Sequence, residues 1–173
     1  MRLMLASDIH GSAYYAEKMR DAFLREKADK LILLGDLLYH GPRNDLPRDY
    51  DPKRVIEILN AMKEKILCVR GNCDTEVDQM VLDFPILADY ALLYLDGRAT
   101  YITHGHKINP DNPLNFNKGD ILINGHTHIP ANEDRGDFWY INTGSVSIPK
   151  NQSPHSYMVY ENGEFKLREL YEN

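Results

Sequence analysis

Five short strand-like runs, each closely followed by a side chain of a metal-binding type, most constrain what this chain can fold into. The runs occupy residues 3–6, 31–34, 66–69, 100–103 and 121–124. The side chains that follow them are two carboxylates, one amide and four imidazoles: Asp8, Asp36, Asn72, His10, His104, His126 and His128. Because each run delivers its residues to the end of a strand, we expect all seven side chains to share one rim of a sheet.

The first half of the chain alternates strands with helices. We predict strands at 2–7, 30–34 and 66–70 and helices at 14–27 and 53–64. This β-α-β-α-β order favours parallel strands joined by right-handed crossovers. Ligands of such sheets collect beyond the carboxyl ends of the strands, which is where Asp8, Asp36 and Asn72 are expected.

Beyond residue 88 the pattern becomes mostly β. Strand-like stretches run near 90–95, 98–103, 120–124, 138–142, 156–160 and 164–170. The predicted fold class is therefore α/β with an α+β-like second half, in which two mixed sheets pack together and helices lie outside. No linker-like stretch divides the halves, so residues 1–173 are expected to form a single domain.

Residues 39–52 fit neither half, since they hold three prolines directly after the Asp36 motif. Proline and the residue before it resist helix formation, which predicts a loop that is long enough to suspect function. Two of its side chains, Arg43 and Arg48, are candidates to receive a substrate phosphate.

Composition narrows the classes of partner. The formal net charge of −6 argues against bulk nucleic-acid binding, and there is neither a signal-peptide pattern nor an apolar stretch of membrane-spanning length. The two cysteines, Cys68 and Cys73, are too few for a disulfide framework and favour a reducing cytoplasm. The chain could form a homo-oligomer through apolar side chains that are candidates for exposure at Tyr90, Leu92, Tyr94 and 138–140.

The ligand set indicates its own chemistry. Two divalent ions about 3.5–4 Å apart can clamp the attacking and leaving oxygens of a phosphoryl displacement, with a bridging hydroxide as nucleophile. A ligand set of imidazoles, carboxylates and an amide suits Mn best, with Ni, Co, Zn or Fe as alternatives. It suits Mg less well, because Mg prefers sites made of oxygen ligands alone. Each motif alone is ordinary turn or helix-cap chemistry, whereas their order and shared context point to a binuclear site.

The ordered set resembles the calcineurin-like metallophosphoesterase superfamily. Three further stretches narrow the resemblance to the small bacterial YfcE-like phosphodiesterases: Val69 to Asp74, Gly41 to Asn44, and Asn142 to Pro149. We interpret the turn at 142–145 as architectural, and the alternative is that it borders the substrate.

This resemblance implies a four-layer αββα sandwich with a dimetal centre. Carried over by motif, one metal would be bound by Asp8, His10 and His128, and the other by Asn72, His104 and His126. Asp36 would bridge the two metals. His104 is preferred over His106 as the ligand, because it follows its strand directly.

One position departs from the superfamily pattern. Many members place a histidine after Gly-Asn, where this chain has Cys73. A neutral thiol is a weak donor, so metal charge would stabilise most of the transition state. Arg43, Arg48, His40 and His106 are candidates to assist. A small packed residue is the preferred interpretation of Cys73, with a soft metal ligand as the alternative.

The resulting expectation is a metal-dependent phosphoric diester hydrolase that acts on small phosphodiesters and uses Asp36, Asn72 and His104 in catalysis. A phosphomonoesterase that uses the same site is the nearest alternative. A non-catalytic protein-binding scaffold with this fold belongs to a different class, and it would predict lost ligands where all seven positions here are competent.

Overall fold

The computed structural model describes residues 1–170. The strands of the first sheet are β1 (Arg2–Ala6), β2 (Lys30–Leu33), β3 (Ile66–Cys68), β9 (Ser156–Glu161) and β10 (Glu164–Glu169). Those of the second sheet are β4 (Ala91–Leu95), β5 (Arg98–Ile102), β6 (Asp120–Asn124), β7 (Ala131–Asp134) and β8 (Phe138–Asn142). The α-helices are α1 (Ala13–Glu26), α2 (Pro52–Asn60) and α3 (Glu76–Gln79).

Both sheets are mixed and five-stranded, which confirms the predicted fold class. The strand order is β10-β9-β1-β2-β3 in the first sheet and β4-β5-β6-β8-β7 in the second. β1, β2 and β3 pair in parallel, as the alternating pattern predicts. β5, β6 and β8 are also parallel, so two sets of carboxyl ends are available to build a site.

The alternation of side chains along β1 explains how the layers pack. Met4 and Ala6 join a core cluster with residues of α1 and α2. Leu3 and Leu5 instead join a cluster with residues of the second sheet. Because both faces of this strand are buried, its sequence is a continuous run of apolar residues.

The two main helices begin at capping residues. The Ser12 side chain accepts a hydrogen bond from the Tyr15 amide at the start of α1. The Asp51 side chain accepts one from the Arg54 amide at the start of α2, where Pro52 occupies the first turn. The structure has neither helix nor strand between residue 39 and Asp51, as the prolines predict.

The structure differs from the sequence-based expectation at several elements. α2 ends at Asn60 rather than at residue 64, and a short 3₁₀ turn follows at Lys63–Lys65. β7 and α3 were not predicted, because β7 is an exposed edge strand without apolar alternation and α3 has only four residues. Tyr140 is buried, whereas Tyr90, Leu92 and Tyr94 are exposed as expected.

Two absences expected from the sequence can be checked against residues 1–170. Within that range, no helix is long and apolar enough to cross a membrane. Cys68 and Cys73 are both free thiols, so no disulfide joins them.

Candidate metal centre

The seven predicted ligand residues converge where the carboxyl ends of strands from both sheets meet. Asp8 and His10 follow β1, Asp36 follows β2 and Asn72 follows β3. From the second sheet, His104 follows β5, while His126 and His128 follow β6. Asp8, His10, Asp36, His104 and His128 are buried, whereas His126 is half-buried and Asn72 is exposed.

The first group of ligand atoms surrounds Asp8. His128 Nε2 lies 3.2 Å and His10 Nε2 lies 3.5 Å from Asp8 Oδ1. The two Nε2 atoms are 3.3 Å apart. These three residues form a set whose donor atoms could hold one metal ion.

The second group surrounds His104. Its Nε2 lies 3.4 Å from Asp36 Oδ2, 3.0 Å from Asn72 Oδ1 and 3.1 Å from His126 Nδ1. Asp36 Oδ2 is also 3.7 Å from His10 Nε2 in the first group. The carboxylate of Asp36 therefore lies between the two groups, where a bridging ligand would have to be.

Backbone carbonyls orient three of the four histidines. A carbonyl oxygen can only accept, so each Nδ1 must donate, and the neutral ring then keeps an unprotonated Nε2. The pairs are His10 with Tyr39 at 2.8 Å, His104 with Leu34 at 2.6 Å and His128 with Ile148 at 2.7 Å.

These neutral tautomers leave acceptors facing acceptors. Nε2 of His10 and Nε2 of His128 point at one another, and the buried Asp8 Oδ1 has no hydrogen-bond partner within residues 1–170. Burying unpaired acceptors is costly unless something positive lies among them. The donor set therefore fits divalent cations.

The backbone is strained at the same positions. Five of the seven residues adopt positive φ angles, which non-glycine residues rarely do. The values are 60° at Asp8, 50° at His10, 57° at Asp36, 65° at His126 and 61° at His128. Strain of this kind persists where surrounding structure enforces it, and it concentrates at functional sites.

Asp74, which sequence reasoning did not single out, holds two of the ligand loops together. Its buried carboxylate accepts hydrogen bonds from the backbone amides of Asp36, Leu37 and Gly71 at 2.9, 2.9 and 2.7 Å. The loops approach so closely that a Cβ on Gly35 would lie 2.2 Å from the Gly71 nitrogen. This close approach explains why a glycine, Gly35, precedes Asp36.

The turn after β8 supports the first ligand. Ser145 Oγ and Ser147 Oγ donate to the carbonyl oxygen of Asp8 at 2.9 and 2.8 Å. These bonds hold Asp8 in its left-handed conformation. They agree with the interpretation of the 142–145 turn as architectural.

Burial and neighbouring charges shift the pKa values of histidines and aspartates in the cluster when no cation is bound. Burial lowers the pKa of His104, but the hydrogen bond to Asp36 and the charges of Asp8 and Asp36 outweigh it and raise the pKa to about 9. Burial and the neighbouring His104 lower the pKa of His126 to about 4. Burial raises the pKa of Asp8 and of Asp36, but neighbouring histidines, which interact favourably with both carboxylates when they are protonated, hold both pKa values below their ordinary range.

We expect the thermal stability of the metal-free protein to be greatest near pH 6.5. His104 has a folded pKa above its unfolded value of about 6.5, so its contribution is full below pH 6.5 and is lost as pH rises through about 9. His126 has a lowered folded pKa, so stability rises as pH increases from about 4 to 6.5. Melting temperatures measured in chelator across this range test the profile.

Two comparisons check the assignment of this pH profile. His104→Gln should flatten the decline on the alkaline side, because it removes a group that loses its proton there. Saturating Mn²⁺ should reverse the decline, because cations bind unprotonated imidazoles. A melting temperature of the metal-free protein that rises from pH 6.5 to 9 would contradict the account.

A cavity of about 380 Å³ opens over the cluster. Besides predicted ligands, Arg43, Cys73 and Lys150 line it. Lys150 was not predicted, because it lies beyond the last strand of the second sheet. Its backbone amide donates a hydrogen bond to the His128 carbonyl oxygen at 3.1 Å. The positively charged side chains of Arg43 and Lys150 therefore lie at the same cavity as the carboxylate of Asp36.

Arg48 and His106, which were also predicted to contact the substrate, do not line this cavity. The Arg48 guanidinium packs over the ring of Tyr14, 3.6 Å from its centroid, and Arg48 is not among the residues that line this cavity. The His106 ring lies 5.4 Å from the His104 ring and faces a second cavity. The structure thus brings His104, and not His106, within reach of Asp36.

Cys73 lies close to the cluster. Its sulfur belongs to a set with donor atoms of His10 and Asp36 that all lie within 4.8 Å of one another. Its amide donates to Asp36 Oδ1 at 2.8 Å. Burial and the charge of Asp36 raise the pKa of the thiol to about 12, so it is neutral at physiological pH.

Comparison with known proteins identifies the family of this chain. Residues 1–164 match the model of the calcineurin-like phosphoesterase superfamily domain. The chain is 48% identical to phosphodiesterase YfcE of Escherichia coli K12 over 162 residues, which are 94% of this chain and 88% of the relative.

Solved structures show the same fold. A structure of E. coli YfcE superposes with a TM-score of 0.96 at 46% identity and covers 98% of this chain and 93% of that one. A Vps29 variant from Entamoeba histolytica superposes with a TM-score of 0.61 at 19% identity over 97% of each chain, a likeness of fold alone. The chain therefore belongs to the calcineurin-like phosphoesterase superfamily, the family that its ordered motifs resemble.

Proposed function

We propose that this protein is a dimetal-dependent phosphodiesterase that hydrolyses small phosphodiesters, with residues 1–173 forming one catalytic domain. The last three of these residues lie outside the described part of the chain. The enzyme class agrees with the activity named for the E. coli relative at 48% identity.

The observation that carries this proposal is the position of Asp36 between two groups of inward-facing ligand atoms. His10 Nε2 lies 3.7 Å and His104 Nε2 lies 3.4 Å from the same oxygen, Asp36 Oδ2. One ion would be held by Asp8, His10 and His128, and its neighbour by Asn72, His104 and His126. Asp36 would be shared by both ions.

When bound, such a pair of ions polarises the phosphoryl group and lowers the pKa of water, so that water can attack at neutral pH. The residues of the chain fix this geometry. Carbonyl-anchored imidazoles hold their lone pairs in place, and Asp74 ties the Asp36 loop to the Gly71 loop. Arg43 and Lys150 lie where they can offset the negative charge of the substrate.

The metal requirement follows from the ligand types. Four imidazoles favour Mn, with Ni, Co, Zn or Fe as alternatives, over Mg. Both cysteines are free thiols, which is consistent with the proposed location in a reducing cytoplasm.

A substrate panel tests the proposal directly. We expect bis(p-nitrophenyl) phosphate to be hydrolysed faster than p-nitrophenyl phosphate, with Mn, Ni, Co and Zn each compared with Mg. A tenfold preference for the monoester would instead support a phosphomonoesterase at the same site. Absence of metal-dependent hydrolysis of either ester would favour the non-catalytic scaffold.

Arg43→Ala is expected to raise KM for the diester and lower kcat/KM by about 10- to 100-fold, since a charged hydrogen bond to phosphate contributes about 1.5–3 kcal/mol. Metal content should not change, because Arg43 lies at the cavity and outside the ligand groups. Steady-state kinetics with elemental analysis measure both quantities.

The matched comparison is Arg48→Ala, which removes the same side chain from the same loop. Arg48 packs on Tyr14 rather than in the cavity, so its effect on KM should be clearly smaller. Equal kinetic losses in the two variants would show that Arg43 acts through loop structure and not through the substrate.

Cys73→His is expected to improve monoesterase activity relative to diesterase activity. A monoester dianion brings more charge than a diester anion, and the neutral thiol of Cys73 offers no positive charge to meet it. An imidazole at the cavity wall can be protonated and can supply that charge. The measured quantity is the ratio of kcat/KM for the two ester types, with metal stoichiometry determined in each variant.

Cys73→Ser serves as the control, because it keeps a small neutral group at the same position. Its substrate ratio should stay near that of the wild type. A ratio that does not change in Cys73→His, with both metals bound, would contradict this explanation of the diester preference.

A further inference from the structure

A second cavity of about 390 Å³ adjoins the metal centre. Gly105, His106 and Asn124 line it, together with His126 and Thr127. His126 and Thr127 also line the first cavity. The segment after β6 is therefore a wall shared by the two cavities, and a molecule centred on the metal cluster can reach into both.

Two residues that line the second cavity carry buried polar atoms without hydrogen-bond partners among the described residues. Asn124 is 1% exposed, and its amide nitrogen donates to the carbonyls of Thr103 at 3.1 Å and Ile108 at 3.3 Å. Its Oδ1 has no hydrogen-bond partner within the described chain, and neither has Nδ1 of His106. Leaving a buried polar group without a partner is costly, so a ligand that donates an O–H or N–H to one of these atoms is favoured over a ligand that cannot.

The charges of the two cavities differ. The second is lined by Asp111 and Glu133, and the Arg135 guanidinium at its wall is paired with Glu133 at 2.8 Å. The first is lined by Arg43 and Lys150. The second cavity therefore suits a neutral group with hydrogen-bond donors, whereas the first suits developing negative charge.

A phosphodiester carries two organic groups on one phosphorus, and this matches two cavities that meet at one metal centre. On cleavage, negative charge develops on the oxygen of the leaving group, which Arg43 and Lys150 in the first cavity can offset. Resting on the proposed function, we infer that the second cavity binds the ester group that stays on phosphorus, a neutral alcohol bearing hydroxyl or N–H donors.

Three diesters with the same leaving group test this inference on the wild-type enzyme loaded with Mn²⁺. They are the methyl, propyl and 2,3-dihydroxypropyl esters of p-nitrophenyl phosphate. The propyl and dihydroxypropyl groups have similar lengths and differ in hydrogen bonding; because a 2-hydroxyl can also displace p-nitrophenolate by attacking its own phosphorus, the product is identified in each case as the open-chain phosphomonoester. We expect kcat/KM to be about tenfold higher for the dihydroxypropyl ester than for the propyl ester, as expected for one or two new hydrogen bonds.

Two variants that fill the second cavity locate the effect. Ala131→Phe places a ring at the cavity lining on β7, and Asp111→Trp does so from an exposed loop position that the core does not require. Both should bring the dihydroxypropyl-to-propyl ratio close to one while metal content stays at the wild-type value. Lys166→Phe, an exposed strand position in the other sheet, is the control and should keep the wild-type ratio.

The outcomes separate this inference from the proposed function. A wild-type ratio near one, or a wild-type ratio that persists in both filled variants, overturns the inference and leaves the diesterase proposal intact. No metal-dependent hydrolysis of any of the three esters overturns the proposed function, and the inference with it. If Ala131→Phe does not fold, Asp111→Trp and the wild-type ratio still decide.

Discussion

Asp36→Asn is expected to lower kcat for diester hydrolysis by at least ~10³-fold, the scale of losing a principal electrostatic element. Asp36 Oδ1 accepts the Cys73 amide at 2.8 Å, and asparagine can keep that bond through its own oxygen. The substitution therefore preserves shape and removes the charge that faces His10 and His104. Two cations close together need that charge between them.

The measurement combines turnover with metal stoichiometry from elemental analysis. We expect Asp36→Asn to bind fewer than two ions per chain under conditions that saturate the wild type. Asp89→Asn is the matched control, because the same substitution is made at an exposed carboxylate that pairs with Lys107. If Asp36→Asn binds two ions and turns over near the wild-type rate, Asp36 does not bridge them.

Exhaustive metal removal is expected to abolish activity, with a loss of at least ~10³-fold, because metal charge stabilises a phosphoryl transition state by several kcal/mol. Mn²⁺ should restore activity better than Mg²⁺, because Mg²⁺ tolerates imidazole ligands poorly. Activity after dialysis against chelator, and after each ion is added back, measures both effects.

A readout independent of activity strengthens the metal-removal test. Within residues 1–170, Asp8 Oδ1 is buried without a hydrogen-bond partner, and the Nε2 atoms of His10 and His128 face each other at 3.3 Å. A bound cation relieves both features, so Mn²⁺ should raise the melting temperature of the metal-free protein. Full activity in protein shown by elemental analysis to contain no metal would exclude this mechanism.

Periodicity predicted the first half of the fold well, because local patterns suffice there. The buried face of α1 is occupied by the predicted residues Tyr15, Met19, Ala22 and Phe23. β1 to β3 are parallel, as their alternation with helices implies. β7 could not be predicted in this way, because backbone pairing with β8 forms it and its exposed side chains carry no apolar signal.

Local patterns were sufficient to predict the fold class and a set of seven polar side chains at strand ends, because strand periodicity is a local property, and the order of the motifs indicated the family. The packing of the two sheets was needed to show that Arg43 rather than Arg48 lines the cavity, and it brings His104, the histidine preferred from the sequence, beside Asp36. It also revealed the support from Asp74 and the position of Lys150. These contacts join residues from separate loops, and their distances depend on how two sheets pack together, which no local pattern encodes.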